Sequence, residues 1–322
     1  MAIQTKTGKA FEYAILVEFY NRLKAITTLQ IVENNTFLKA KNCFDGFSEE
    51  IKDEYRLNAS FSVNFLIDLE PRLSHGISED DILQLEIASD QLGQKGDVRD
   101  VIFIRSLQKW EIGISAKNNH RALKHSRLSG ELNFGKEWVN NLCSVDYFNE
   151  ISPIFNNLRD IRKNDKTTKW DEIFSDKDSE VYVPILEAFR KEILLLQDKD
   201  KSEFASKLIS YLVGRNDFYK LIKSKNKLEI QAFNMYGTLN LPFKNIKAKA
   251  KVSKLKLPSR LIEISFKPNS KTTLLAYFDE GWQISFRIHN ASSKVESSLK
   301  FDINLVSSPH TLFTNHIITG EK

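Results

Sequence analysis

The sequence predicts an α/β (α+β) fold with a mixed central sheet, a helical insertion and a β-rich C-terminal part. Three observations support this class. Apolar side chains recur at helical spacing from about residue 8 to residue 23. Two apolar strands follow at 101–104 and 110–117, and alternating strand patterns return after residue 227. Because the stretch 145–225 between them is mostly helical in pattern, helices and strands are mixed along the chain.

The composition is that of a well-packed globular protein. Hydrophobic residues make up 41% of the 322 residues and aromatic residues 11%, with 22 Phe, which argues against wholesale disorder. This length suits two domains, or one large domain with insertions. We predict a core at 1–150, a mostly helical segment at 151–226 and a β-rich basic segment at 227–322.

The sequence has no run long enough to span a membrane, and its first residues lack the charged-then-apolar layout of a secretion signal. We therefore expect a cytoplasmic protein without a membrane partner. The two cysteines, Cys43 and Cys143, have no metal-ligand spacing, and a reducing cytosol disfavours a bridge between them. Both are interpreted as packing residues.

Positive charge is concentrated in the last part of the chain. Residues 201–322 contain 20 Lys and Arg against 9 Asp and Glu, whereas residues 1–200 contain 27 against 33. A polyanion such as a nucleic acid suits the basic part, because each neutralised phosphate releases condensed counterions. A lysine-rich surface that only aids solubility is the alternative.

The first predicted helix carries a candidate carboxylate. This helix begins near Gly8 and ends at about Leu23. Glu12 shares a face with Leu16 and Phe19, which indicates a partly buried carboxylate that faces a site. An ordinary exposed helix glutamate is the alternative.

A second helix is predicted over 79–92. Ser78 is interpreted as its N-cap, and acidic residues follow in its first turn. Gly93 and Gly96 bound the next turn, which leads directly into the strand 101–104.

The two apolar strands carry the most informative residues. Asp97 and Asp100 precede the strand 101–104, and Lys117 ends the strand 110–117. Side chains alternate along a strand, so one face of the second strand is apolar and the other presents Glu111, Gly113, Ser115 and Lys117. Two carboxylates beside a lysine can hold a divalent metal next to a water that attacks phosphate. The alternative is a simple turn before a buried strand and a solvated strand end.

A basic run follows Lys117. His120, Lys124 and Arg127 recur at helical spacing, which predicts a short helix that presents all three to a nucleic-acid backbone. A solvated charged face is the alternative. His120 and His125 lack a cysteine or carboxylate at the usual ligand spacing, which argues against zinc.

The C-terminal part predicts strands with polar faces. Lys247, Lys249 and Lys251 alternate with alanines, which predicts a strand with one lysine face. In a second strand Trp282, Ile284, Phe286 and Ile288 are buried by alternation. The open face is then formed by Gln283, Ser285, Arg287 and His289, with Asn290 after them. These side chains suit DNA base edges, and Arg reads guanine bidentately. The polar face of an ordinary sheet is the alternative.

Taken together, these stretches resemble a known family. The helix start GKAFE (8–12), Asp100 and the Lys117 strand resemble the core of the PD-(D/E)XK nucleases. Closer still, four stretches across both halves of the chain resemble type II restriction endonucleases of the HaeIII family: GDVRD (96–100), EIGISAK (111–117), KHSRLS (124–129) and GWQISFRIHN (281–290).

The resemblance implies a magnesium-dependent enzyme that cuts double-stranded DNA at a short palindrome, GGCC for the family's named member. It also implies hydrolysis by in-line attack of water, 5′-phosphate products and a cognate DNA methyltransferase in the same system. A palindromic target suits two-fold symmetric recognition, by a homodimer or by two successive monomer encounters. The alternatives are a PD-(D/E)XK nuclease of repair or methylation-dependent type, and a DNA-binding protein without catalysis.

One position departs from the nuclease pattern, which has an acidic residue two before the lysine. Here that residue is Ser115, so the second carboxylate must come from elsewhere. Glu111 lies about 13 Å away along the strand, which is too far. We expect Asp100 to be the principal magnesium ligand, with Asp97 or Glu12 as the second. Lys117 then orients the water.

Overall fold

A computed structural model describes residues 3–89, 97–119 and 121–320, and its strands form two sheets. The strands, in chain order, are β1 (Leu29–Ile31), β2 (Leu83–Ile87), β3 (Val101–Arg105), β4 (Trp110–Asn118), β5 (Ala122–Leu128), β6 (Phe218–Ser224), β7 (Lys227–Phe233), β8 (Leu261–Phe266), β9 (Thr273–Phe278), β10 (Gln283–His289), β11 (Leu299–Ser307) and β12 (Phe313–Ile318). The predicted mixture of helices and strands is confirmed.

The chain divides into two units, each built from non-consecutive segments. The first contains 1–121, 214–255 and 311–322, and the second contains 122–213 and 256–310. This division differs from the predicted consecutive segments 1–150, 151–226 and 227–322. The predicted boundary at 226/227 falls in the turn between β6 and β7, which pair as an antiparallel hairpin within one sheet.

The first unit contains a mixed seven-stranded sheet of order β1-β2-β3-β4-β6-β7-β12. The pairs β1/β2 and β4/β6 are parallel, and the other pairs are antiparallel. The helices of this unit are α1 (Ile3–Leu23), α2 (Asn35–Asp45), α3 (Glu49–Leu69) and α4 (Pro71–Ser74).

Helix α1 packs its apolar face on the sheet. Phe11, Ile15 and Phe19 are fully buried, and the ring of Phe19 lies 4.5 Å from that of Phe103 on β3. Burial of such side chains is the main source of stability here. The predicted apolar face of β4 is buried as expected, since Trp110, Ile112, Ile114 and Ala116 are all at most 5% exposed.

The second unit contains an antiparallel five-stranded sheet of order β5-β11-β10-β9-β8. Its helices are α5 (Phe134–Val139), α6 (Val145–Asn164), α7 (Trp170–Ile173), α8 (Val183–Lys199), preceded by a π-helical turn at Asp178–Tyr182, and α9 (Phe204–Val213). Phe189 of α8 lies 5.4 Å from Phe286 and 5.1 Å from Phe301, ring to ring. The predicted alternation of β10 is confirmed, since Trp282, Ile284, Phe286 and Ile288 are buried.

Three predicted elements are wrong. Residues 79–89 contain strand β2 instead of a helix, because Leu83, Leu85 and Ile87 are buried at period two and pair with neighbouring strands. The rest of that predicted helix, and the predicted turn bounded by Gly93 and Gly96, lie outside the described residues. The basic run contains strand β5 instead of a short helix, because it pairs with β11. The segment around Lys247, Lys249 and Lys251 forms no strand and is exposed.

Two further expectations concern membranes and cysteines. Within the described ranges, no helix is both long and apolar enough to cross a membrane. Cys43 is half-buried and Cys143 is buried, and the two are not joined by a disulfide, as expected of packing residues.

Candidate active site

Asp100 and Lys117 meet at the junction of β3 and β4. The backbone N–H of Asp100 donates to the carbonyl of Ile114 over 2.7 Å, so the residue extends the β3–β4 ladder just before β3 begins. Its side-chain Oδ2 accepts hydrogen bonds from the Ala116 N–H (2.7 Å), the Ser115 hydroxyl (3.3 Å) and Lys117 Nζ (3.2 Å). The predicted proximity of an acidic strand head to Lys117 is therefore observed.

The Asp100–Lys117 pair is ordered but reachable from solvent. The side chain of Lys117 is 25% exposed and that of Asp100 is 23% exposed. All three donors reach Oδ2, and among the described residues none donates to Oδ1. One carboxylate oxygen thus orients the lysine, and no donor from the described residues occupies the other.

Glu12 of α1 adds a second carboxylate. It is 6% exposed and accepts a hydrogen bond from Lys9 Nζ over 2.9 Å. Burial and the negative charge of Asp100 raise the pKa of Glu12 to about 7, against an ordinary value of 4.5. An exposed helix glutamate is therefore excluded. The charge of Asp100 therefore acts on Glu12, which places the two carboxylates within electrostatic range of each other.

Asp97 lies in a different cluster. Its carboxylate accepts from Arg99 Nε (2.9 Å) and Nη2 (2.7 Å), and from the side-chain amide of Asn216 (3.1 Å). Arg99 is buried, packs on Gly113 and also pairs with Glu111 over 2.8 Å. These partners occupy Asp97, so the geometry favours Glu12 over Asp97 as the second carboxylate beside Asp100.

Lys220 is a site residue that the sequence analysis missed. In the parallel β4/β6 register it lies opposite Ser115, and its Nζ donates to the carbonyl of Arg121 over 2.8 Å. Burial, followed by the positive charges of Lys117 and Arg121, lowers the pKa of Lys220 to about 7. A lysine inside the apolar run 218–222 was the available signal, because an isolated lysine is rarely buried without a role.

Known proteins resemble this chain over nearly its whole length. A family model described as HaeIII restriction endonuclease matches residues 8–309. The chain belongs to the HaeIII restriction endonuclease family. It is also 42% identical over 311 residues to the Type II restriction enzyme HaeIII of Haemophilus aegyptius, which covers 95% of each chain. No solved structure matches the chain. The predicted family, and with it the type II restriction endonuclease class, is confirmed.

A metal site in this family member would need oxygen ligands. Among residues 3–89, 97–119 and 121–320, no three His, Cys, Asp or Glu side chains form a metal-binding group. Magnesium is commonly held by one or two carboxylates, with water and substrate phosphate as further ligands. Asp100 and Glu12 are such a pair, so the donor set fits magnesium.

The DNA-binding candidates on β5 are not brought together. His120 and the side chain of His125 lie outside the described residues. Lys124 Nζ lies 3.4 Å from the centre of the Tyr211 ring and donates to the Tyr211 carbonyl over 3.1 Å. Arg127 instead bonds Ser298 and Glu296. Lys124 and Arg127 lie on opposite faces of β5, because they are three residues apart in a strand.

The DNA-binding candidates on β10 share one face of the second sheet, as predicted, but differ in environment. The Arg287 side chain is 58% exposed and lies 4.0 Å from Asp302. His289 Nε2 lies 3.2 Å from Asp302 Oδ2. Gln283 is half-buried and Ser285 is buried.

The side chain of Asn290 is hydrogen-bonded within the second unit. Its side-chain oxygen accepts from the Tyr182 hydroxyl over 2.8 Å and from Lys177 Nζ over 3.2 Å. On this face, Arg287 is therefore the base-reading candidate with the most accessible side chain.

Proposed function

We propose that this protein is a magnesium-dependent type II restriction endonuclease with a PD-(D/E)XK-type site. It hydrolyses phosphodiester bonds of double-stranded DNA at a short palindrome and leaves 5′-phosphates. The observation that supports this proposal most directly is the contact between Asp100 and Lys117 at adjoining strand ends. The buried Glu12 lies within electrostatic range of Asp100. Membership of the HaeIII family supports the same reaction.

Asp100 and Glu12 would hold the magnesium ion. The charge of Asp100 contributes to the raised pKa of Glu12, and the positive charge of a bound divalent cation would offset this repulsion. Magnesium held by these carboxylates would supply activation of the attacking water and neutralisation of charge on the phosphate. Ser115 replaces the acid of the general pattern, and Glu12 compensates from α1.

Lys117 orients the attacking water and stabilises the negative charge that develops on the phosphate. The bond to Asp100 Oδ2 fixes its amine, so little reorganisation is needed when substrate arrives. Lys220 adds a second amine on the same face of the sheet, beside Ser115. The leaving 3′ oxygen takes its proton from water.

Sequence recognition is assigned to the open face of the second sheet. Arg287 would read a base edge, and Arg127 would contact phosphate, which fixes register without reading sequence. GGCC is the proposed target because the sequence resembles the HaeIII family. A cognate methyltransferase would protect the same sequence, and two copies of the enzyme would serve the two half-sites.

Cleavage of defined plasmids tests this function. Unmethylated and GGCC-methylated plasmids are incubated with the protein in magnesium or in chelator, and product ends are sequenced. Magnesium-dependent cutting at one palindrome that methylation prevents supports the proposal. Cutting only of methylated or damaged DNA would instead indicate the repair or methylation-dependent type. Binding without strand breaks would overturn catalysis altogether.

A further inference from the structure

A basic cavity of about 310 Å³ lies in the first unit, where β4 begins. Its wall includes Arg72, Arg99, Lys109 and Arg215, together with Trp110. Trp110 is the first residue of β4, and Lys117 lies about 23 Å further along that strand, at about 3.3 Å per residue. Neither Asp100 nor Lys117 lines the cavity, although Arg99 of its wall directly precedes Asp100.

The carboxylates of the wall are already neutralised. Glu111 pairs with Arg99 over 2.8 Å, and Arg99 also bonds Asp97. Asp217 accepts from the backbone N–H groups of Tyr236 and Thr238, each over 2.8 Å. Each carboxylate of the wall, Glu111 and Asp217, therefore already accepts hydrogen bonds from the protein.

Three cations of the wall, Arg72, Lys109 and Arg215, form no salt bridge within the part of the chain that the structure describes. Arg72 makes one hydrogen bond, from Nε to the carbonyl of Pro242 over 3.4 Å. Lys109 and Arg215 are exposed, so an anion from solvent can approach them.

The Trp110 indole supplies an independent observation. Trp110 is 4% exposed, and its Nε1–H has no acceptor among the described residues. A buried donor without an acceptor is costly and uncommon in native proteins. Trp110 is part of the cavity wall, and an anion in the cavity would balance the charge of the three cations.

We propose that this cavity binds a phosphate group. Guanidinium groups bind phosphate oxygens through paired, charge-assisted hydrogen bonds, and lysine adds a point charge. Two sources carry this chemistry: a backbone phosphate of bound DNA, or a small phosphoanion. The proposal does not rest on the proposed cleavage mechanism, because no residue of the Asp100–Lys117 site lines the cavity.

Binding measurements on the whole protein in chelator test the proposal, so that DNA stays uncut. Calorimetric titration with inorganic phosphate is compared with sodium chloride at equal ionic strength. In parallel, affinity for a short duplex without GGCC is measured over a range of salt concentrations. The variants are Arg215→Gln and Lys109→Gln, with Lys39→Gln, an exposed lysine of α2, as the matched control. Circular dichroism verifies the fold, and Lys109→Gln serves if Arg215→Gln does not fold.

For a small phosphoanion, inorganic phosphate binds the wild type and Lys39→Gln, and binds Arg215→Gln about tenfold more weakly. If the ligand is a DNA phosphate, Arg215→Gln lowers the slope of log affinity against log salt concentration by about 0.9. The control Lys39→Gln, on the exposed face of α2, leaves that slope unchanged. Unchanged phosphate binding and an unchanged salt slope in both cavity variants would overturn the proposal.

Discussion

Lys117 Nζ lies 3.2 Å from Asp100 Oδ2, so a strand-end lysine is held by the carboxylate that precedes the neighbouring strand. The same oxygen accepts the Ala116 N–H over 2.7 Å, which ties the carboxylate to the backbone of β4. The lysine therefore has a fixed partner that does not depend on substrate. Its loss would change the chemistry of the site more than its architecture.

Lys117→Ala should reduce cleavage by about 10²- to 10⁴-fold, the usual range for a positioned proton-transfer or charge-stabilising group. DNA affinity should stay nearly intact, because Lys117 is a single charge in a large interface. Single-turnover cleavage in magnesium and fluorescence anisotropy in chelator measure the two effects. Lys39→Ala, on the exposed face of α2, is the control and should cut at the wild-type rate. Full activity of Lys117→Ala would remove Lys117 from the site.

Glu12→Gln should abolish magnesium-dependent cleavage and stabilise the metal-free protein at high pH. The pKa of Glu12 is about 7 in the folded protein against 4.5 ordinarily, so the folded state binds more protons between these values. The free energy of unfolding therefore falls as pH rises through this window and stays lower above pH 7. At pH 8 the variant should be more stable by up to about 3 kcal/mol, at 1.36 kcal/mol per pKa unit.

The comparison must allow for Glu70, because burial also raises its pKa to about 7. Glu70 contributes equally to both proteins, so the difference in unfolding free energy between variant and wild type isolates Glu12. Denaturant titrations in chelator at pH 5 and pH 8 give this difference. A value that does not change with pH would show that Glu12 is not a strained carboxylate.

Gly113→Ala should destabilise the first unit. An added Cβ would lie 2.2 Å from Cδ and 2.6 Å from Cγ of Arg99, which must then leave its place on β4. We expect a cost of about 1–3 kcal/mol from overpacking, and loss of the Arg99 bonds to Asp97 and Glu111 would add to it. Gly8→Ala in α1 is the matched control, since nothing lies within 4 Å of its added Cβ. That control should gain about 0.5–1 kcal/mol, and thermal unfolding separates the two.

Arg287→Ala should weaken binding to the target sequence by about 1–3 kcal/mol, because a bidentate base contact is lost. Binding to unrelated DNA should change much less. Arg127→Ala provides the contrast: loss of a phosphate contact weakens binding to all sequences alike. Fluorescence anisotropy with target and scrambled duplexes gives the ratio of specific to non-specific affinity for each of the two variants. An unchanged ratio of specific to non-specific affinity in Arg287→Ala would rule out base reading.

The sequence predicted best the elements whose burial pattern is local. Helix α1 was expected from about residue 8 to 23 and spans Ile3–Leu23, while β4 was expected at 110–117 and spans Trp110–Asn118. In the helix, apolar residues recur on one face at each turn, and in the strand they recur at every second residue. Asp100 and Lys117 followed from these strands, because strand ends that pair bring their flanking residues together.

The elements that the sequence missed depend on partners far along the chain. Strand β5 is a strand because it pairs with β11, more than a hundred residues later, and its own residues favour a basic helix as readily. Lys220 joins the site only through the parallel pairing of β6 with β4. A local sequence pattern does not indicate which distant strands pair. The sheet face on which Lys124 lies, and the position of Lys220 opposite Ser115, were therefore not predictable.

The interrupted chain of the first unit has a consequence during synthesis. Its segments are separated by 122–213 and 256–310, and the site draws Glu12 and Lys220 from different segments. A chain still on the ribosome therefore lacks the assembled site until β6 has emerged, and β7 gains its partner β12 only when Phe313–Ile318 has been made. Prematurely terminated chains that end before β6 would lack Lys220 and the strand that pairs with β4 next to Lys117.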